Sequence, residues 1–271
     1  MIITIIGAGW LGHPLALSLA KQHTVYASSR STLSSSEYHH FTFDFTSNHA
    51  NDKLLEAFKK QQPNIVIGCF PPALRKSLND NYAKYWQMLT NACEKTAVQQ
   101  VIMISTTAVY SSDIPVAREQ DTLPTPLEKL ENKQDVILAA EYAVHNANLN
   151  SAIIRCSGLI GPNRHPARFI DKLQQISRNA PANIIHLDDV IGVITHLIGQ
   201  QGHTILNATT PETVSKAEFY QHAAKLAGIT PIAQEKIVDL RDKKISAEKL
   251  LGTGYKFTYH HIFDALSAIE C

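Results

Sequence analysis

Near its start the chain runs Ile2-Ile-Thr-Ile-Ile6-Gly7-Ala8-Gly9-Trp10-Leu11-Gly12. The residues before Gly7 are apolar or β-branched, form a run too short for a helix, and lead directly into glycines. This pattern is typical of a strand that is buried on both faces. Because a helix is predicted over residues 10–22, the stretch is expected to form a strand, a tight turn and a helix.

The first half of the chain continues this alternation of short β-rich runs and helical stretches. Strands interleaved with helices predict a parallel sheet with right-handed crossovers and helices on both faces. The predicted fold class is therefore α/β, a doubly wound parallel Rossmann sheet. The predicted strands span residues 2–6, 24–28, 41–45, 64–69, 100–105 and 151–155, and the later helices span residues 51–60, 74–97 and 127–146.

The pattern changes after residue 155, and Gly161-Pro162-Asn163 is a turn signal. We assign residues 1–160 to the Rossmann domain and residues 161–271 to a smaller C-terminal α/β lobe. Within that lobe, residues 183–200 are expected to return to the Rossmann sheet. A helix is expected there, with Asp188 or Asp189 as its N-cap residue.

The segment Gly7-Ala8-Gly9-Trp10-Leu11-Gly12 matches the pattern Gly-x-Gly-x-x-Gly between a strand and a helix. The first glycine permits the tight turn, the second lets the backbone approach a pyrophosphate, and the third allows close helix–strand packing. The helix N-terminus adds free N–H groups and partial positive charge. We therefore predict that residues 7–12 bind the pyrophosphate of a nicotinamide dinucleotide. The alternative is a glycine-rich turn without a ligand, and Trp10 and Leu11 suit packing better than binding.

The second predicted strand ends in Ser28-Ser29-Arg30-Ser31, without the acidic residue that NAD-preferring sites usually have there. A guanidinium can hold a ribose 2′-phosphate by charge-assisted hydrogen bonds worth about 1.5–3 kcal/mol. Ser29, Arg30 and Ser31 therefore favour NADP as the cofactor, with NAD as the alternative. Arg30 could equally be a solvated loop residue. Asp44, after the third predicted strand, is a candidate for binding the adenine amine or for capping a helix.

The fifth predicted strand ends in Ser105-Thr106-Thr107-Ala108-Val109-Tyr110, and parallel sheets bind ligands at this carboxyl edge. Here the chain resembles the extended (atypical) short-chain dehydrogenase/reductases, in their NAD(P)-dependent epimerase/dehydratase-like group. The glycine-rich turn and the segments 105–110, 154–162 and 185–190 carry this resemblance, in the order that the family has them. The resemblance covers about the first 200 of the 271 residues.

The resemblance implies roles for several residues. The family's fifth strand supplies a Ser or Thr that hydrogen-bonds the reacting oxygen, which corresponds to Thr106 or its neighbour Thr107, and a strand-end cap is the alternative for Thr106. In the family, the chain near the dinucleotide includes the end of the fourth strand, and the loop after the sixth strand faces the substrate. The candidate cofactor contacts are thus Phe70, Pro71 and Ser105, and the candidate substrate contacts are Ser157, Arg164, His165 and Tyr110, the last expected mainly to pack.

The family's proton-transfer element, Tyr-x-x-x-Lys on the helix after the fifth strand, is missing. If Glu141 is the acidic residue that often follows this element, Lys133 stands at the tyrosine position and Ile137 at the lysine position. An aliphatic side chain cannot replace the lysine, which lowers the tyrosine pKa by its charge. Either Lys133 or Lys129 takes part of the role, or the usual mechanism is lost and both lysines are solvated.

The composition is that of an ordinary globular protein, with 44% hydrophobic and 18% charged residues and a formal net charge of +1. We therefore expect no nucleic-acid partner, and no apolar run reaches the roughly 18 residues that cross a membrane. The four cysteines form no close pair, which favours reduced thiols in the cytoplasm, and no histidine pair has metal-ligand spacing.

Two functional hypotheses follow. The first is an NADP-dependent oxidoreductase or epimerase/dehydratase-like enzyme, monomeric or homodimeric, acting on a small polar substrate that is sugar-like or a carbonyl compound. The second is a sensor or regulatory protein that binds the dinucleotide without turnover, since a fold alone does not fix a function. Thr106 favours the first hypothesis, whereas the missing tyrosine and lysine favour the second.

Overall fold

The structure is a computed structural model that describes residues 1–32, 35–72 and 81–270. Its strands are β1 Ile2–Ile6, β2 Thr24–Ser29, β3 His39–Thr42, β4 Ile65–Gly68, β5 Gln100–Thr106, β6 Val116–Ala117, β7 Asn150–Cys156, β8 Gly158–Ile160, β9 Ile176–Ser177, β10 Ile184–His186, β11 His203–Ala208, β12 Ile237–Val238 and β13 Lys244–Ile245. Its α-helices are α1 Gly12–Ala20, α2 Ala50–Gln61, α3 Asn81–Glu94, α4 Lys133–His145, α5 Leu187–Leu197, α6 Lys216–Leu226, α7 Glu248–Gly252 and α8 Ile262–Ser267. Short 3₁₀ helices lie at Thr107–Val109, Glu119–Asp121, Pro166–Lys172 and Gln234–Lys236.

The described residues form a seven-stranded sheet with the strand order β11-β7-β5-β4-β1-β2-β3. The order places β1 between β2 and β4, and both pairings are parallel, as a doubly wound sheet requires. Ile5 lies opposite Ala27 of β2 and Ile67 of β4, and all three residues are fully buried. The run of isoleucines in β1 therefore reflects burial on both faces, and the predicted fold class is confirmed.

One compact unit consists of Met1–Ser105, Leu123–Ile154 and Ile194–Ile205. Its helices cover the strands closely. A Cβ atom on Gly68 of β4 would come within 2.2 Å of the ring of Trp86 in α3, and Trp86 is fully buried. Glycine is therefore required at the end of β4 for this indole to lie against the strand.

The second compact unit consists of Thr106–Thr122, Arg155–Val193 and the residues from Leu206 onward. Its apolar core joins α6, α8 and the segment between β8 and β10, and includes Phe219 and Leu266. The unit also contains three short parallel strand pairs: β8 with β10, β9 with β12, and β6 with β13. The unit thus has its own core and small sheets.

The division into units differs from a single boundary near residue 160. Residues 106–122 group with the second unit, whereas Leu123–Ile154 and Ile194–Ile205 group with the first. Strand β10 pairs with β8 in a sheet of two strands, while β11 joins the large sheet. The chain therefore passes between the units several times, and two separate pieces build the first unit after residue 105.

Several predicted elements have other bounds in the structure. Strand β3 ends at Thr42, because Asp44 accepts the amide of Thr46 at 2.8 Å and turns the chain. Helix α4 begins at Lys133, because the side chain of Asn132 caps it by accepting the amides of Gln134 and Asp135. The first part of the predicted helix over residues 74–97 lies outside the described residues, and α3 accounts for its later part.

The predicted cap at Asp188 or Asp189 is wrong. Both aspartates lie inside the first turn of α5, which begins at Leu187. Asp189 is fully buried and accepts the amides of Thr258 at 2.7 Å and Tyr259 at 3.2 Å. Its carboxylate therefore holds the chain segment before α8 instead of capping its own helix.

Candidate functional site

The turn between β1 and α1 has a separate structural requirement at each of its three glycines. Gly7 has a φ of 105°, and its amide donates to the carbonyl of Ser28 at 3.2 Å. A Cβ atom on Gly12 would lie 2.0 Å from the carbonyl oxygen of Gly7, so the first turn of α1 packs directly on the loop. Gly9 is exposed, and a Cβ atom there would meet nothing within 4 Å.

This geometry fits the pyrophosphate of a dinucleotide. Gly7 and Gly12 are explained by the fold, but the structure itself gives no packing reason for a glycine at position 9. The N-cap of α1 is Leu11, whose side chain cannot accept a hydrogen bond, so this side chain leaves the helix N-terminus uncapped. An open glycine before a helix N-terminus is a site where a phosphate can approach the backbone. Ala8 and Leu11 are buried and Trp10 is half-buried, so their side chains mainly pack.

The end of β2 carries the residues that we assign to the adenosine ribose. Arg30 and Ser31 are exposed, and the hydroxyl of Ser29 contacts Nε2 of His40 at 2.8 Å and the carbonyl of Ser31. Asp44 accepts the backbone amide and the hydroxyl of Thr46, and these bonds, helped by the charge of Arg30, lower its pKa. Asp44 therefore serves a turn, and its carboxylate lies within electrostatic range of Arg30.

The segment after β4 packs against the glycine-rich turn. A Cβ atom on Gly7 would lie 3.1 Å from the carbonyl carbon of Cys69 and 3.2 Å from the amide nitrogen of Phe70. The ring of Phe70 is half-buried and stacks on Trp86 at 4.7 Å, whereas Pro71 is exposed. The backbone of Phe70 thus lies beside the turn while its ring belongs to an aromatic cluster.

The hydroxyl of Ser105 points into the protein and not outward to a ligand. It donates to Oε1 of Glu141 at 2.5 Å, and both residues are buried, Glu141 completely. This bond ties the end of β5 to α4. The prediction of Ser105 as a cofactor contact is not supported by this orientation, because its hydroxyl already has a carboxylate partner. From the sequence, Glu141 served only to align this helix with the family's Tyr-x-x-x-Lys element, and its bond to Ser105 was not predicted.

A cavity of about 320 Å³ in the second unit brings together three of the predicted side chains, Thr106, Thr107 and Ser157. Both threonines are half-buried, and the hydroxyl of Thr106 also accepts the amide of Ala108 at 3.2 Å, so it caps the following 3₁₀ helix. The Ser157 hydroxyl is buried and has no hydrogen-bond partner among the described residues. Buried hydroxyls usually have a partner, which marks Ser157 as a group that a ligand can satisfy.

Tyr110 lies outside this cavity, in a buried network. It is 1% exposed, and its hydroxyl donates to Asn207 at 2.6 Å and accepts from Arg155 at 2.9 Å. Burial raises the pKa of Tyr110, although the charge of Arg155 opposes this effect. Arg155 also donates to the carbonyls of Glu119 and Thr122. Tyr110 therefore packs, as mainly expected from the sequence, and its hydroxyl is held inside this network.

The remaining predicted residues are not part of the cavity lining. His165 is buried and its Nδ1 accepts the amide of Ala167 at 3.2 Å, which caps the 3₁₀ helix that follows. Arg164 is half-buried, and its amide closes a turn by donating to the carbonyl of Gly161 at 2.9 Å, with Asn163 at a φ of 60°. Lys133 is exposed in the first turn of α4, and Lys129 is paired with Glu131 at 2.6 Å.

A larger cavity of about 650 Å³ shares part of this wall. Four residues that were not predicted as site residues line both cavities: Lys216, Tyr220, Asp242 and Lys243. The lysines and the aspartate come from α6 and from the loop before β13, which are far apart in the sequence. No motif connects them, so only the fold reveals the cluster.

Two further findings concern the described part of the chain. Every helix there is too short or too polar to cross a bilayer. No group of three or more His, Cys, Asp or Glu residues in residues 1–32, 35–72 and 81–270 has the arrangement of a metal site.

Comparisons with known proteins agree with this fold. Protein YeeZ of Escherichia coli K12 is 29% identical over 239 residues, which are 84% of this chain and 85% of that protein. MoeE5, solved in complex with UDP-glucuronic acid and NAD, has a TM-score of 0.77 at 21% identity, with 99% of this chain and 97% of that chain covered. UDP-glucuronic acid 4-epimerase from Bacillus cereus, solved with NAD, has a TM-score of 0.77 at 18% identity, with coverage of 99% and 97%.

At these identities the two solved structures show a shared fold. The family is shown by a separate match, because residues 3–207, more than half of the 271 residues, match the family model. The resemblance that the motifs predicted is thereby confirmed: this chain belongs to the NAD-dependent epimerase/dehydratase family.

Proposed function

We propose that this protein is a nicotinamide-dinucleotide-dependent oxidoreductase or epimerase/dehydratase-like enzyme that acts on a small polar substrate, sugar-like or a carbonyl compound. The open glycine at position 9 carries the proposal, because neither backbone strain nor packing explains its lack of a side chain. The family is described as NAD-dependent, and both structural neighbours described above were solved with NAD. The UDP-glucuronic acid bound by MoeE5 supports a sugar-like substrate.

The chain's own residues would divide the work. The backbone of residues 7–12 would hold the pyrophosphate at the N-terminus of α1. The bound nicotinamide would supply hydride transfer. Thr106 and Thr107 line the cavity in the second unit and would hydrogen-bond the reacting oxygen of the substrate, and Ser157 offers a third hydroxyl there.

We further propose that the dinucleotide is NADP in preference to NAD. Arg30 is exposed at the end of β2 between Ser29 and Ser31, and the hydroxyl of Ser29 contacts Nε2 of His40 on β3. The residues at the end of β2 include no Asp or Glu, and the Asp44 carboxylate, which lies within electrostatic range of Arg30, is engaged by the amide and hydroxyl of Thr46. Titrating the protein with NADPH and NADH in parallel tests this preference. Arg30→Ala should remove it, and an unchanged NADPH/NADH affinity ratio in this variant would refute the role of Arg30.

The second candidate function is a sensor that binds the dinucleotide without turnover. The observation that favours it is on α4, where Ile137, at the position of the family lysine, is 4% exposed and part of the core. Proton transfer by a positioned group contributes about 10²–10⁴-fold to catalysis. A helix face without the tyrosine and lysine therefore leaves a large part of the usual rate unexplained.

A turnover assay separates the two functions. Purified protein is incubated with NADPH or NADH and a panel of carbonyl compounds and sugar nucleotides, and nicotinamide absorbance and product formation are followed. Turnover that falls in Thr106→Val but persists in Thr106→Ser supports the enzyme. Tight dinucleotide binding without turnover on any compound supports the sensor. We also propose that the protein is cytoplasmic and that it is monomeric or homodimeric. Analytical ultracentrifugation tests the oligomeric state.

A further inference from the structure

The wall shared by the two cavities of the second unit has more positive than negative charge. Lys216 and Lys243 line it, Arg241 lines only the larger cavity, and Asp242 is the sole acidic residue in either lining. Cavities of about 300–1,000 Å³ are the size of small-ligand sites, and these have volumes of about 650 and 320 Å³. The net positive charge of Lys216, Arg241, Lys243 and Asp242 therefore favours an anion.

A single carboxylate serves two ammonium groups. Oδ2 of Asp242 accepts from Nζ of Lys216 at 2.7 Å, while Oδ1 lies 3.6 Å from Nζ of Lys243. Oδ1 already accepts the backbone amide of Lys243 at 2.9 Å. The Lys243 side chain is 17% exposed, and its ammonium group shares a counter-ion that lies closer to Lys216. The cluster thus combines two ammonium groups with one carboxylate, whereas buried charges are usually paired one to one.

The backbone around Lys243 is held in place independently of the charges. The side chain of Asn183 donates to the carbonyl of Lys243 at 2.9 Å and accepts the amide of Ile245 at 3.0 Å. The hydroxyl of Ser177 donates to the carbonyl of Leu240, on the other side of the loop. The two lysines are therefore presented by fixed elements, and a ligand would not have to order the loop.

We propose that Lys216 and Lys243 form a site for the anionic group of the substrate, a phosphate or a carboxylate, and that Asp242 is an internal counter-anion with which that group competes. The inference rests on the proposed function only in calling the ligand a substrate. Burial opposes ionisation of Asp242, but the hydrogen bond and charge of Lys216 and the amide of Lys243 outweigh it and lower the pKa of this carboxyl. Asp242 thus occupies the lysines as an anion until a ligand displaces it.

The proposal predicts that removing the negative charge of Asp242 and removing the positive charge of Lys243 change anion affinity in opposite directions. Asp242→Asn removes the competing carboxylate and should tighten anion binding about tenfold. This factor corresponds to the lower end of the range for a hydrogen bond to a charged group, because the site is partly exposed. Lys243→Gln should weaken binding by about the same factor. Lys225→Gln is the matched control, since Lys225 is exposed in the last turn of the same helix as Lys216 and lines neither cavity.

The experiment is an NMR titration with inorganic sulfate at constant ionic strength, following the backbone amides of Lys243 and Ile245. These signals report the site locally, and the Gly9→Trp background removes anion binding at the turn between β1 and α1. Acetate is the second probe: preference for sulfate indicates a phosphate-bearing ligand, and preference for acetate a carboxylate. Lys243→Arg, which keeps the charge, should retain binding if Lys243→Gln loses it through charge.

Two outcomes overturn the proposal. An Asp242→Asn variant that is folded but binds sulfate no more tightly would show a salt bridge of structural value alone. Absence of binding by both probes in the folded parent protein would show that there is no anion site. Failure of the proposed function is distinguishable, because it would appear as absent dinucleotide binding or turnover while the sulfate titration still follows the expected order.

Discussion

The same substitution, glycine to alanine, is expected to lower the stability of the fold at Gly12 but to lower dinucleotide affinity at Gly9. Neither residue has a left-handed φ, so alanine is compatible with the backbone at both. At Gly12 the added Cβ would lie 2.0 Å from the Gly7 carbonyl oxygen, where ordinary contacts begin near 3.4 Å. Gly12→Ala should lower the free energy of unfolding by about 1–3 kcal/mol, the usual cost of overpacking. Gly9→Ala meets no atom within 4 Å and should change it by less than about 0.5 kcal/mol.

Dinucleotide binding separates the two glycines further. The methyl group of Gly9→Ala would occupy the space that we assign to the pyrophosphate, so affinity should fall at least tenfold, or about 1.4 kcal/mol. Urea unfolding followed by circular dichroism gives the stabilities, and calorimetric titration with NADPH gives the affinities. A Gly9→Ala variant that binds NADPH as tightly as the parent would refute the assignment of this turn to the pyrophosphate. An undisturbed Gly12→Ala variant would refute the packing argument.

Three further predictions concern buried polar groups. Arg155→Lys should lose about 2–3 kcal/mol of unfolding free energy in urea, because one ammonium cannot reach the three acceptors of the fully buried guanidinium. Ser105→Ala should lose about 1–3 kcal/mol in the same assay, because it removes a donor from the buried Glu141 carboxylate. Burial lowers the pKa of His165 below its usual 6.5, so the unfolded chain takes up the proton first and stability should fall as pH drops through 6.5. His165→Asn keeps a capping acceptor that does not titrate, and its stability should change less between pH 7.5 and pH 5.5.

Each of these predictions has a control. Arg178→Lys alters an exposed ion pair with Asp239 and should change stability by less than about 1 kcal/mol. If Arg155→Lys is equally harmless, the network around Tyr110 contributes little to stability. Ser105→Thr keeps the hydroxyl and should recover part of the loss. Equal pH dependence in His165→Asn and the parent would assign the titration to other histidines.

The fold could be predicted because its strongest signals are local. The isoleucine run of β1 and the three glycines that follow it each obey a steric rule, and the structure shows the packing behind two of the glycines. The bounds of β3 and α4 were less predictable, because side-chain hydrogen bonds to nearby amides set them. Asp44 ends the strand in this way, and Asn132 begins the helix.

The site was predictable only in part, because side-chain direction depends on packing partners that a strand-end pattern does not specify. Thr106 and Thr107 line a cavity, but the hydroxyl of Ser105, one residue earlier, points to Glu141. Alternation along a strand would allow this difference, but only the position of α4 decides which side is buried. The Lys216–Asp242 cluster was missed entirely, since its members come from elements distant in sequence.

The packing of α4 accounts for the absence of the family lysine at position 137. Ile137 and Glu141 are one helical turn apart, both are buried, and Glu141 is bonded to the end of β5. Placing a lysine at position 137 would bury an ammonium where the structure has an aliphatic side chain, so this helix is built for packing at that position. Under the proposed function, the hydroxyls of Thr106, Thr107 and Ser157 in the cavity are candidate proton donors, together with the exposed Lys133 on α4. Turnover slower than that of tyrosine-bearing relatives by about 10²–10⁴-fold is therefore the rate to look for. An assay that cannot detect this lower rate would give the result expected of a sensor even if the protein is an enzyme.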